Sequence, residues 1–198
     1  FSDNKKQSFK FSSTIKNLIG IYSVMAIKKI LTEPDPFLRQ KSKPVEQVDD
    51  EIKTLMDDML ETMYAAPGIG LAAVQIGVPK RVIVIDLSKD NEKKNPLFFV
   101  NPEILKKSEE DASYEEGCLS VPNQFAEVSR PDTCKVKYLD YEGKEKILDA
   151  KGLLATCIQH EMDHLEGILF IDYLSKLKKS IIIKKLSKHK KNLERIVV

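Results

Sequence analysis

Two histidines four residues apart, with a glutamate directly after the first, make Gln159-His160-Glu161-Met162-Asp163-His164 the segment of this chain best suited to chemistry. On a helix, at ~100° and ~1.5 Å per residue, His160 and His164 stand about 40° apart around the axis and roughly 6 Å apart along it. Both imidazoles then reach one divalent cation, and Glu161 emerges beside them within reach of a water on that cation. These are two of the three histidines in the chain. The competing reading is a helix that merely carries polar residues, since a five-residue pattern recurs by chance.

A catalytic zinc or iron site takes three protein ligands and keeps one position open. A histidine six residues after the second would complete one protease pattern, but Phe170 stands there. Glu194, the only acid of the distal tail, sits among lysines and is a poor candidate. Upstream, Glu116-Gly117-Cys118-Leu119-Ser120 places a cysteine in a tight segment ahead of Val121-Pro122, and a thiolate suits a borderline-soft metal. Cys157 lies on the same helix face as the histidines, but roughly 10 Å from His164 along the axis, so one ion hardly binds both. Cys157 therefore reads as a pocket wall or core thiol and Cys134 as a strand residue, while a buried small hydrophobe is the competing fate for Cys118.

The elements that must hold these residues are legible in outline. Asp49 or Asp50 caps a helix running to about Tyr64, whose Ile52, Leu55, Met56, Met59, Leu60 and Met63 form one apolar face. The stretch from Pro67 to Gly77 is small and flexible throughout. Arg81 to Leu87 and Leu97 to Val100 read as strands. Thr133 to Leu139 alternates, and Tyr141-Glu142-Gly143 turns it into a hairpin with Lys144 to Leu148. The histidine helix spans about Gly152 to Glu166, with Leu153, Cys157, His160 and His164 on one stripe expected to be buried. A last helix runs from Tyr173 to Leu193 or beyond. The expected fold is α+β, with mainly antiparallel sheets packed around a central metal-binding HExxH helix, an N-terminal helix and a C-terminal basic helix.

Composition bounds the rest. With 42% hydrophobic and 31% charged residues, 198 residues suit one soluble domain plus tails. Residues 26–175 are the expected catalytic domain. Residues 1–25 form a transit-like or disordered extension, with Asp3 as the only acid in the first two dozen residues. Residues 176–198 form a basic helix or tail, and from 174 onward eight lysines and Arg195 face Glu194 alone. Three cysteines without disulfide-like spacing favour a reducing compartment. No apolar run approaches the ~20 residues of a membrane span.

Gly68-Ile69-Gly70-Leu71-Ala72-Ala73-Val74-Gln75, Glu116-Gly117-Cys118-Leu119-Ser120 and Gln159-His160-Glu161-Met162-Asp163-His164 occur in that order. In order and spacing they match the three signature segments of the peptide deformylase family, which removes the formyl group from new polypeptides. The resemblance covers roughly residues 26–175, including Asp172-Tyr173-Leu174-Ser175. It implies Cys118, His160 and His164 as ligands of one divalent ion per chain, usually Fe(II), with zinc, cobalt or nickel tolerated. One thiolate and two neutral imidazoles would leave such a site at about +1, enough to acidify water. It implies Glu161 as the proton carrier, with the Gln75 amide and the Leu119 backbone N–H steadying the oxyanion. It implies that Ile69, Gly70 and Gly117 pair with an extended peptide, and that Tyr114, Glu116, Leu153, Thr156 and Cys157 wall the methionine pocket.

The chain also departs from the common bacterial pattern. Phe125 stands where many members carry arginine and Asn123 where glutamate is frequent, while Thr156 replaces a common aliphatic. Arg130 is expected to pair with Glu116 or Asp163. The implied partners are formyl-methionyl nascent peptides. For the basic helix, contact with ribosomal RNA competes with a solvated face. A monomer is the expected state, and the transit-like start points to a plastid or apicoplast, with a mitochondrion second. Three other functions stay open: an endoprotease lacking its downstream ligand, a thiol amidase built on Cys118, and a structural metal module with a fourth protein ligand.

Overall fold

The computed structural model describes residues 26–89 and 92–196, with side chains described through residue 188. Among these described residues, three helices, α1 (Asp50–Ala65), α2 (Leu153–Leu165) and α3 (Lys176–Ile196), accompany seven strands. The strands are β1 (Gly70–Ala72), β2 (Val82–Ile85), β3 (Leu97–Lys107), β4 (Asp111–Cys118), β5 (Val121–Pro131), β6 (Thr133–Leu139) and β7 (Glu145–Lys151). Short 3-10 turns at Pro36–Arg39, Ala73–Ile76 and Phe170–Tyr173 join them. Mixed helices and antiparallel sheets agree with the expected class. The transit-like reading falls on residues 1–25, which lie outside the described residues.

One sheet is five-stranded and antiparallel in the order β1-β2-β3-β6-β7; the other is the pair β4-β5. The run Val82-Ile83-Val84-Ile85 has no polar face because β2 is covered on both sides. Val82 and Val84 meet Met56, Met59 and Met63 of α1, whereas Ile83 and Ile85 meet Ala155, Cys157 and Ile158 of α2. Helix α1 begins as expected, with the Asp49 carboxylate accepting the Ile52 N–H at 3.0 Å and Asp50 and Glu51 in its first turn.

Three readings change. The stretch after Pro67 is ordered, forming edge strand β1 and a 3-10 turn whose Ala73, Val74 and Gln75 are buried. Strands β4 and β5 form where the sequence shows no strand pattern, since Asp111 to Cys118 is acidic and glycine-containing, with poor strand propensity, and Pro122 and Asn123 interrupt the start of β5. The C-terminal helix is more than a tail at its start. Ile182 and Leu186 are buried with Val121, Val128, Phe170 and Ile171, so α3 helps close a third core behind the β4-β5 hairpin. No helix of the described residues is long and apolar enough to cross a membrane.

Candidate active site

Helix α2 runs through the interior, and from Ala155 to Glu161 every residue is buried. A helix hydrophobic on most of its circumference belongs inside a protein, and here its polar residues need specific partners. His160 and His164 both point to the β4-β5 turn, their rings 5.0 Å apart. There they meet Cys118, so that one donor atom from each of Cys118, His160 and His164 lies within 4.8 Å of the others. Cys118 Sγ is 3.2 Å from His164 Nε2. The Nδ1–H of His160 is directed at Glu116 Oε2, 2.8 Å away, leaving Nε2 for the cluster. A thiol and two imidazoles so placed are a sound donor set for a borderline divalent ion. Among the described residues, buried His164 Nδ1 and Glu161 Oε2 have no hydrogen-bond partner, and neither do Ser42 Oγ and Thr156 Oγ1.

The remaining expected residues surround this cluster. A groove is lined by Gly68, Ile69, Gly70, Gln75, Gly117, Cys118, Leu119, Phe125, His160 and Glu161, together with Pro122, Asn123 and Gln124. The Gln75 side chain is locked at both ends. Its Oε1 accepts the Ala72 N–H at 2.7 Å, and its Nε2 donates to Ser120 Oγ at 3.1 Å and faces Cys118 Sγ at 3.6 Å. Branching from the groove is a pocket of about 100 Å³ walled by Ile69, Tyr114, Glu115, Glu116, Gly117, Leu153, Thr156 and Cys157, with room for one side chain. Leu153 departs from the buried stripe; at 46% exposed it stands at the pocket mouth, since it opens α2. At Gly70 a Cβ would run into the Glu161 carboxylate and the Cys157 sulfur, so only glycine lets β1 lie this close to α2.

Charge is managed by a buried network. Arg130 Nε donates to Glu116 Oε1 at 2.5 Å and its Nη1 to Asp163 Oδ2 at 2.7 Å, so Arg130 pairs with both expected partners. Tyr173 donates its hydroxyl to Asp163 at 2.9 Å and lays its ring 4.8 Å from the guanidinium. Burial would raise the Glu116 carboxyl, but hydrogen bonds from His160 and Arg130 outweigh it and hold the pKa below its ordinary value. Among the described residues, Glu161 has no such donors. Burial raises its pKa, the charges of His160 and Glu116 then pull in opposite directions, and it is pushed up to about 7. Ser120, Tyr173 and Asp163 as the shared acceptor of two donors were not anticipated. Ser120 could have been suspected from its place directly after Cys118-Leu119; the others are joined only by the fold.

A larger open depression at the far end of the sheet is lined by Lys106, Lys107, Glu109, Glu110, Lys135, Asp149 and Lys151. Its charges are mixed and exposed, and it shares none of the candidate residues.

This site belongs to a class of metal-dependent amide hydrolases, and known proteins narrow it. A family profile described as polypeptide deformylase matches residues 27–180. A peptide deformylase of Pelagibacter ubique is 70% identical over 174 residues, covering 88% of this chain and 100% of its own. That of Phenylobacterium zucineum is 65% identical over 167 residues, 84% of this chain and 99% of its own. The crystal structure of peptide deformylase from Ehrlichia chaffeensis superposes with a TM-score of 0.81 at 44% identity, covering 84% of this chain and 98% of that one. The chain belongs to the polypeptide deformylase family, metal-dependent enzymes that remove the N-formyl group from nascent chains.

Proposed function

We propose that this chain hydrolyses the formyl amide of peptides beginning with formyl-methionine, with Cys118, His160 and His164 holding one divalent cation. The observation that carries the reading is convergence: the three donors lie within 4.8 Å of one another beside a groove that also presents Gln75 and Glu161. Fe(II) is the proposed ion on the family's usage, with zinc, cobalt or nickel able to occupy the same donors. Bound there, the cation supplies Lewis-acid polarisation and lowers the pKa of water.

The chain's own residues do the rest. Among the described residues, β1 lies at the edge of its sheet and β4 has β5 as its only strand partner, so both offer open backbone to the groove. An extended peptide fits between them, pairing with the backbone of Ile69, Gly70 and Gly117 by strand addition. Its first side chain enters the pocket walled by Tyr114, Glu116, Leu153, Thr156 and Cys157. That placement brings the formyl carbon toward Gln75 Nε2 and the Leu119 N–H, the proposed donors to the developing oxyanion. Glu161 takes a proton from the attacking water as the C–O bond forms. It returns that proton to the departing nitrogen as the C–N bond breaks, releasing formate and a free amine. A carboxyl whose pKa stands at about 7 is suited to both halves of that exchange.

The proposed setting is any compartment that starts translation with formyl-methionine. The organellar reading rests on the composition of residues 1–25, and the relatives named above are bacterial. A monomer is the proposed working state. The lysines of α3 are proposed as a solvated face, with contact to ribosomal RNA as the competing reading.

The test is formate release from formyl-Met-Ala-Ser by protein prepared anaerobically with iron. Glu161→Ala is expected to retain the metal and lose activity by about 10²- to 10⁴-fold. Wild-type rates in that variant would overturn the mechanism, and undiminished metal content in Cys118→Ala would overturn the ligand set.

A further inference from the structure

We infer that Ser120 is a positioning residue that fixes the plane of the Gln75 carboxamide, and that the segment Leu31–Glu33 braces it from behind; the inference rests on the deformylase reading above. A side-chain amide has one acceptor oxygen and two N–H donors. Gln75 Oε1 accepts the Ala72 N–H at 2.7 Å, which holds one end of the group but leaves it free to turn about that contact. Donation of one Nε2 hydrogen to Ser120 Oγ, 3.1 Å away, removes that freedom. The two N–H bonds diverge in the amide plane, so the second is aimed away from Ser120, on the side of Cys118 Sγ at 3.6 Å. That is the side of the groove on which the formyl oxygen is placed. Ser120 thus occupies one donor and aims the other.

Ser120 is itself held without slack. It is fully buried, in the turn between β4 and β5. Its C=O accepts the Glu33 N–H at 2.8 Å, and the C=O of Gln75 accepts the Leu31 N–H at 2.8 Å. One short segment therefore ties the backbones of Gln75 and Ser120 together, while their side chains are tied in the groove. Glu33 is anchored in turn. Its buried carboxylate accepts from Arg39 Nη2 at 3.1 Å, and Arg39 Nη1 reaches the Gly167 C=O at 3.4 Å, just beyond the end of α2. This ring of contacts refers Gln75 to the helix that carries the histidines. Leu119 is the residue before Ser120, so one brace sets both proposed oxyanion donors. Donors aimed in advance act on charge that develops only in the transition state, so misaiming one costs rate more than binding.

The full chain loaded with iron is assayed anaerobically on formyl-Met-Ala-Ser. Ser120→Ala is expected to lower kcat about tenfold, with KM within about twofold and metal content unchanged. Ser120→Thr, which keeps the hydroxyl oxygen, should stay within about threefold of the wild-type kcat. Gln75→Ala is expected to lower kcat about 10²-fold, and adding Ser120→Ala to it should cost nothing further, because the group that Ser120 aims is gone. A readout without turnover is nuclear magnetic resonance of the Gln75 side-chain amide in the zinc-loaded full chain. Its hydrogen exchange should be slow in the wild type and at least about fivefold faster in Ser120→Ala. Wild-type kcat in Ser120→Ala overturns the inference, as does a double variant slower than Gln75→Ala by about the same tenfold. A loss confined to KM or to metal content, or an unchanged exchange rate, overturns it as well. Absence of formate release from the wild type would count against the deformylase reading instead, and the exchange rates would still decide the role of Ser120.

Discussion

The two walls of the groove are held in different ways. On one side, β1 and its 3-10 turn rest on an apolar interior: β2 behind them is buried on both faces, against α1 and α2. On the other side, the β4-β5 hairpin is a two-stranded sheet whose β4 is acidic and polar, and such a pair is marginal alone. It is anchored to α2 by Arg130, Glu116, Asp163 and His160, and to the C-terminal segment by a small apolar cluster. Apolar packing is additive and forgiving to small changes, whereas a buried ionic network fails as a unit when one member is removed. The wall that carries Cys118 is thus the one whose position depends on charge.

Breaking the ionic side should give the largest effect. Arg130→Met leaves Glu116 and Asp163 buried or half-buried without their cation, and is expected to cost about 3–5 kcal/mol in urea-monitored unfolding. Because Glu116 then loses the donor that orients it toward His160, metal affinity measured by competition with a chelator should fall about 10- to 100-fold. Unchanged stability and affinity would mean that the hairpin is held by packing after all.

A smaller effect is expected from Asp172, which ties the turn before α3 to the body. It accepts from Arg39 at 2.5 Å, Lys179 at 2.5 Å and the Leu169 N–H at 2.8 Å. Burial would raise its pKa, but the Leu169 N–H and the two cations outweigh it and hold it below the ordinary value. A carboxyl depressed on folding contributes stability that is present above its unfolded pKa, ~3.9, and is lost as pH falls through the folded pKa. The difference in unfolding free energy between the wild type and Asp172→Asn, about 1–2 kcal/mol at pH 7, should therefore shrink as pH falls below about 4. A difference independent of pH would show that the carboxylate's charge is not what anchors this turn.

The mildest effect belongs to the apolar side. Ile85→Val removes one methylene between β2 and α2 and should cost about 0.5–1.5 kcal/mol, with metal affinity unchanged. A loss of metal affinity comparable to that of Arg130→Met would erase the distinction between the walls.

Local pattern determined much of this molecule. The spacing of His160, Glu161 and His164, the Asp49 cap and methionine face of α1, and the strand at Thr133–Leu139 are properties of short windows, and each is present where the sequence placed it. Cys118 was also legible, as a thiol in a tight segment, but its distance to the histidines was not: it lies 46 residues before His164 in the chain and 3.2 Å from it in space. The fold alone decided three further matters. β4 and β5 became strands because pairing and the core behind them overrode weak propensity. Arg130 bridged Glu116 and Asp163 because a hairpin crossed over a helix. Leu153 surfaced at the pocket mouth because α2 begins there. Periodicity and capping are encoded within a few residues, whereas register, burial and charge compensation depend on which distant segment arrives alongside.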